Sequence, residues 1–123
     1  MKMRLIAACA AAALACGAQV ADKVKLDFIS TLSGPSVAIG VDIRDAFQLA
    51  IKTSGGKLGG LPAEVLIGDD QFKPDVGRQL AEKYVRADRV NFLTGIVFSN
   101  IMLAAVPIAF DNKTLYVSPN AAP

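Results

Sequence analysis

Along residues 24–30 (VKLDFIS) polar and apolar positions first alternate and then turn apolar, the pattern of a strand running into a core. Residues 31–40 contain Gly34-Pro35 and end in Gly40, and they read as a loop. Beyond it Ile43, Phe47, Ala50 and Ile51 fall on one face at helical spacing, and Gly55-Gly56 ends that helix. Gly59-Gly60 marks a second turn, followed by a strand over residues 63–68 (AEVLIG) that closes on Asp69-Asp70. Pro74 suits the first position of a helix, where its missing N–H is not needed, and Asp75 places a negative charge in the same turn. Val76, Leu80, Tyr84 and Ala87 give this helix a stripe to bury. A third strand over residues 90–94 reaches Gly95. Ser99-Asn100 then opens an apolar helix over residues 101–110, which Pro107 is expected to kink or shorten. Residues 114–118 (TLYVS) form a fourth strand.

Strands that alternate with helices predict an α/β fold, a parallel sheet with helices on both faces and right-handed crossovers. A flavodoxin-like sheet has strand order 2-1-3-4-5 and binds ligands beyond the carboxyl ends of its first and third strands, where the winding reverses. In this chain those ends are the loop over residues 31–40 and the loop over residues 95–100.

The first residues follow a different pattern. Lys2 and Arg4 are followed from Leu5 by an uncharged, alanine-rich run that lasts until Asp22. A positive start, an apolar stretch and small residues before a polar chain mark residues 1–21 as a secretory signal peptide. A membrane anchor of similar length is disfavoured, because alanine and glycine contribute little transfer energy and Gln19 interrupts the run. Cleavage after Ala18, cleavage after Ala21 and lipidation at Cys16 are all compatible with the residues there. Residues 22–123 are then the mature domain.

Removing Lys2 and Arg4 from the thirteen basic residues leaves eleven, against eleven acidic ones. The mature part is therefore near neutral, without the basic stripe that nucleic acid requires. Both cysteines, Cys9 and Cys16, lie in the signal segment, and histidine is absent. That removes disulfides, thiol chemistry and the commonest general base and metal ligand. No GxxxxGK[ST], GxGxxG or GxSxG pattern occurs, so neither a phosphate cradle nor a nucleophile elbow is present. The expectation is a protein that is not an enzyme and carries no cofactor and no metal.

Residues 28–40 (FISTLSGPSVAIG), 55–60 (GGKLGG) and 69–76 (DDQFKPDV) resemble the branched-chain-amino-acid-type, or type I, periplasmic solute-binding proteins of ABC transporters. Residues 95–100 (GIVFSN) and 116–123 (YVSPNAAP) continue the resemblance, which thus spans the whole mature part in order. It implies a two-lobed fold that closes on a small solute, of which residues 22–123 would be the first part of lobe one. Complete members are substantially longer, so the resemblance also implies a truncated lobe. The implied role is that of an extracytoplasmic, periplasmic receptor that delivers an amino acid or aromatic acid to a membrane permease. The alternative is a sensor of the same fold, in which closure signals.

Ser99 and Asn100 are the leading candidate ligand contacts. They begin a helix beyond the third strand, where free N–H groups and the macrodipole favour an anion, and the family uses this place for the ligand carboxylate. An N-cap role for Ser99 is the structural alternative. By resemblance Ala121 and Ala122 match further contact positions, although Ala122 lacks the hydroxyl that amino-acid binders carry there. Ile39 stands where such binders often place a large aromatic residue. Asp69, Asp70 and Asp75 invite a metal reading, but they follow a strand away from the switch point and are expected to be structural.

Export should be visible in the protein itself. Intact-mass analysis of periplasmic material is expected to show a chain starting near Gln19 or Asp22, or at a lipidated Cys16; membrane-embedded protein that retains Met1 would contradict this.

Overall fold

The computed structural model describes residues 22–120, so the expected signal segment, Ala121 and Ala122 lie outside the described residues. The elements are β1 (Val24–Ser30), α1 (Val37–Thr53), β2 (Lys57–Leu58), β3 (Leu61–Asp69), α2 (Pro74–Glu82), β4 (Phe92–Thr94), α3 (Ser99–Asp111) and β5 (Leu115–Val117). The sheet order is β2-β3-β1-β4-β5. β1 pairs in parallel with β3 and β4, and β4 in parallel with β5, which is the flavodoxin-like order expected from the sequence.

Side chains of β1 point alternately to the two faces. Phe28 meets the Phe47 ring of α1 at 5.1 Å between centroids, whereas Ile29 enters the main core. That core is built with Ala81 and Tyr84 below α2 and with Ile101, Ala105 and Ala109 of α3. Helices therefore cover both faces. Gly77 lets α2 and α3 approach closely, because a methyl group there would meet the Ile101 side chain at 2.6 Å.

Four local expectations need correction. The loop after β1 is shorter than residues 31–40, since α1 already begins at Val37 and Gly40 is a buried helical residue. The Gly59-Gly60 turn belongs to a hairpin, with β2 antiparallel to β3, because both glycines adopt the positive φ (57° and 83°) that such a reversal needs. α2 continues into a π-turn, Lys83–Ala87, in which the Asp88 N–H donates to the Lys83 carbonyl. The extra residue rotates the stripe, so Tyr84 and Val85 are buried and Ala87 is exposed. Pro107 does not shorten α3, which continues to Asp111. The carbonyl left without its donor is that of Leu103, a residue 64% exposed, where water can serve instead.

Asp27 is the exception in the core. It lies fully buried on the central strand, and neither of its carboxylate oxygens has a hydrogen-bond partner. Burial pushes its pKa up to about 9; the Lys83 ammonium pulls it down and Asp88 pushes it up, both less strongly. An unfolded Asp ionises near pH 4, so between there and pH 9 the folded state holds a proton that the unfolded chain has released. Stability from this group is full below that window and falls as pH rises through it, at roughly 1.4 kcal/mol per pH unit. Asp70 also has a raised pKa, from burial, and acts in the same direction. Thermal melts should therefore show the wild type less stable at about pH 8 than at about pH 5, with Asp27→Asn much flatter across that range. A wild-type stability that rises across it would overturn this account of Asp27.

Candidate functional site above the carboxyl ends of the strands

The chain reverses its winding at β1, since β3 lies on one side of it and the next parallel strand, β4, on the other. Above the carboxyl ends of β1 and β4 stand the loop over residues 31–36 and the loop over residues 95–98.

The second loop begins at Gly95, with φ of 94°, where a Cβ would come within 2.7 Å of the Ile29 carbonyl oxygen. Only glycine fits so close to β1 in that conformation. Ile96 and Val97 then enter the core. Phe98 is extended (φ −110°, ψ 138°) and occupies the N-cap position of α3, and its carbonyl accepts from the N–H groups of Ile101 (3.1 Å) and Met102 (3.0 Å). Ser99 and Asn100 follow as the first two residues of α3, both exposed. Ser99 is thus not the N-cap, and no side chain caps this helix. The first turn of a thirteen-residue helix consequently faces out at the switch point, with the positive end of its dipole and N–H groups that have no intrahelical acceptor.

Two further segments join this end of the sheet. The Asn120 amide donates to the Val97 carbonyl at 2.9 Å, which places the turn after β5 beside the loop after β4. Ile39 lies in the first turn of α1 and is 49% exposed, on a helix and not in the loop where it was expected.

Asp69 and Asp70 are structural. Asp69 Oδ1 accepts from the backbone N–H groups of Leu32 and Gln71, both at 2.9 Å. Burial alone would raise the Asp69 pKa, but hydrogen bonds from Ser33, Leu32 and Gln71 outweigh it and hold the carboxyl below its usual range. Asp70 Oδ1 accepts from Thr31 Oγ1 at 2.6 Å and from the Phe72 N–H at 2.8 Å. The pair ties the end of β3 to the end of β1. Asp75 sits exposed in the first turn of α2, as its charge at the positive helix end suggested. Sequence reasoning missed Phe72 and Phe98, whose rings meet edge to face at 4.7 Å. They are far apart in the chain, and no periodic pattern links them.

A family model for periplasmic binding proteins matches residues 23–123. The chain is 31% identical over 123 residues to "Leu/Ile/Val-binding protein homolog 6" of Brucella abortus (strain 2308), covering 99% of this chain and 32% of the relative. A solute-binding protein of an ABC transporter from Rhodopseudomonas palustris BisB5, solved with 3,4-dihydroxybenzoic acid, superposes with TM-score 0.78 at 31% identity. That match covers 82% of this chain and 28% of the other. A second R. palustris solute-binding protein, solved with benzoate, gives TM-score 0.75 at 28% identity over 80% of this chain and 27% of the other. The chain spans about a third of the length of these relatives.

Gly40 packs directly under the loop after β1, since a Cβ there would overlap the Thr31 carbonyl and crowd Ser30 Oγ. Gly40→Ala should therefore lower stability by about 1–3 kcal/mol, as overpacking does, and urea titration followed by circular dichroism measures it. An unchanged midpoint would mean that this end of the sheet yields freely.

Proposed function

The chain belongs to the periplasmic binding protein family, and on that premise we propose that it supplies part of the first lobe of an extracytoplasmic receptor for a small carboxylate, working with an ABC-transporter permease. The observation that carries this reading is the exposed first turn of α3 at the switch point of the sheet, with Ser99 and Asn100 on it. A carboxylate set there meets the positive end of a helix and N–H donors that have no intrahelical partner. Ligands of two similar proteins, 3,4-dihydroxybenzoic acid and benzoate, carry that group, as do the amino acids in the name of the Brucella relative. Among the described residues no helix is long and apolar enough to cross a membrane.

In this reading Ser99 and Asn100 hold the carboxylate, the segment beginning after Asn120 adds a backbone contact at Ala121 and Ala122, and Ile39 lines the wall. Bound charge gains about 0.3–1 kcal/mol from the helix dipole, and up to ~2 when partly buried. Each hydrogen bond to it adds roughly 1.5–3 kcal/mol. Fixing a ligand costs about 4 kcal/mol or more, and micromolar affinity needs about 8 kcal/mol net. One lobe leaves the solute half in water, so the remaining energy comes from closure of a second lobe over its other face.

Calorimetry with benzoate, 3,4-dihydroxybenzoate and leucine tests this directly. The 123-residue chain should bind none of them tighter than roughly millimolar. A protein extended to the length of the relatives should bind at least one far more tightly and lose about tenfold with Ser99→Ala, equivalent to ~1.4 kcal/mol. Micromolar binding by the 123-residue chain would overturn the two-lobe reading. An unaffected Ser99→Ala would remove Ser99 from the site.

A further inference from the structure

The turn after β3 is built in a way that its role as a connection to α2 does not require. Gln71 and Phe72 both take the left-handed conformation (φ 54° and 60°), which residues with a side chain seldom adopt and here do so consecutively. Three hydrogen bonds hold them there: Gln71 N–H to Asp69 Oδ1, Phe72 N–H to Asp70 Oδ1, and Lys73 N–H to the Asp70 carbonyl at 2.8 Å. The same two carboxylates accept from Leu32 and Thr31, so the turn is anchored to the loop after β1. The conformation turns Phe72, 43% exposed, toward Phe98, and the rings meet edge to face with planes at 80°. Phe98 is the residue whose carbonyl starts α3, immediately before Ser99.

We propose that Phe72 is a positioning residue of the ligand site: held by Asp69 and Asp70, it presses on Phe98 and sets where the first turn of α3 stands relative to the loop after β1. The proposal rests on the ligand reading above for its functional meaning, and on the ring contact and hydrogen bonds for its mechanics. A large, half-exposed apolar ring in a left-handed turn gains little from burial alone. Its value lies in joining two loops that the sheet leaves on separate strands. Such a brace lets the anion-binding N–H groups be in place before ligand arrives, which lowers the ordering cost of binding.

Amide hydrogen exchange on the purified full chain separates this from a general packing role. Phe72→Ala should speed exchange of the Ile101 and Met102 amides by about two- to tenfold, the range an aromatic pair is worth, with Leu26 and Leu93 unchanged. Phe72→Tyr, which keeps the ring, should restore the wild-type rates. Unchanged rates at Ile101 and Met102 overturn the proposal, and so does uniform acceleration that includes Leu26 and Leu93. Titration of the wild-type protein extended to the length of the relatives with benzoate, 3,4-dihydroxybenzoate and leucine, followed through the Ser99 and Asn100 amide resonances, tests the ligand reading separately. Ligand-induced shifts that weaken in Phe72→Ala support the functional role. No shift in the wild type with any of the three defeats the ligand reading, while the exchange data still decide whether Phe72 positions α3.

Discussion

The placement of β1 between β3 and β4 is the constraint from which the rest of the molecule follows. All seven residues of β1 pair with β3, and Leu26, Asp27 and Phe28 also pair with β4. A strand flanked on both edges and covered on both faces has no solvent of its own, so the chain must leave it at its ends. At the carboxyl end the polypeptide turns one way toward β3 and returns across β1 to reach β4. The loops that follow β1 and β4 thus diverge, and α3 begins above the gap. Gly95 shows how tight this crossing is, since its backbone lies against the Ile29 carbonyl with no room for a side chain.

The two buried carboxyls of the sheet make opposite use of that strand. Asp70 accepts two hydrogen bonds and joins the ends of β1 and β3, so its burial brings rigidity to the end where the candidate site lies. Asp27 accepts none and keeps its proton through neutral pH, because the Lys83 ammonium does not offset its burial and Asp88 adds to it. A buried polar group without a partner costs on the order of 1–3 kcal/mol. That cost falls at the middle of β1, near Lys83 of the π-turn, and not in the loops that would meet a ligand.

The opposite margin of the sheet is apolar and open. Met102, Leu103, Val106, Pro107 and Phe110 of α3 line a cleft of about 390 Å³ with Tyr116 and Ser118. On β5 Leu115 and Val117 are 64% and 49% exposed. A parallel edge strand with an apolar face is the kind of surface that stable proteins cover with further chain.

The sequence by itself determined the three helices and the four parallel strands, though not the short antiparallel β2, because each rests on local periodicity and on Gly, Pro and Asp at helix and turn positions. It also put Ser99 and Asn100 at the start of the helix after the third strand, since that position follows from element order alone. Local rules misjudged the start of α1, where Gly40 reads as a terminator but is buried inside the helix because only a hydrogen fits against Thr31. They could not foresee the π-turn, whose inserted residue exchanges Ala87 for Val85 in the core. Tertiary structure alone decided that Ser99 follows the N-cap, that Asp69 and Asp70 brace the loop after β1, and that Phe72 meets Phe98. Each of these joins residues that are distant in the chain or depends on backbone angles that composition does not encode. Periodicity reports which face of an element is buried; what that face touches emerges only when the sheet brings the ends of its strands together.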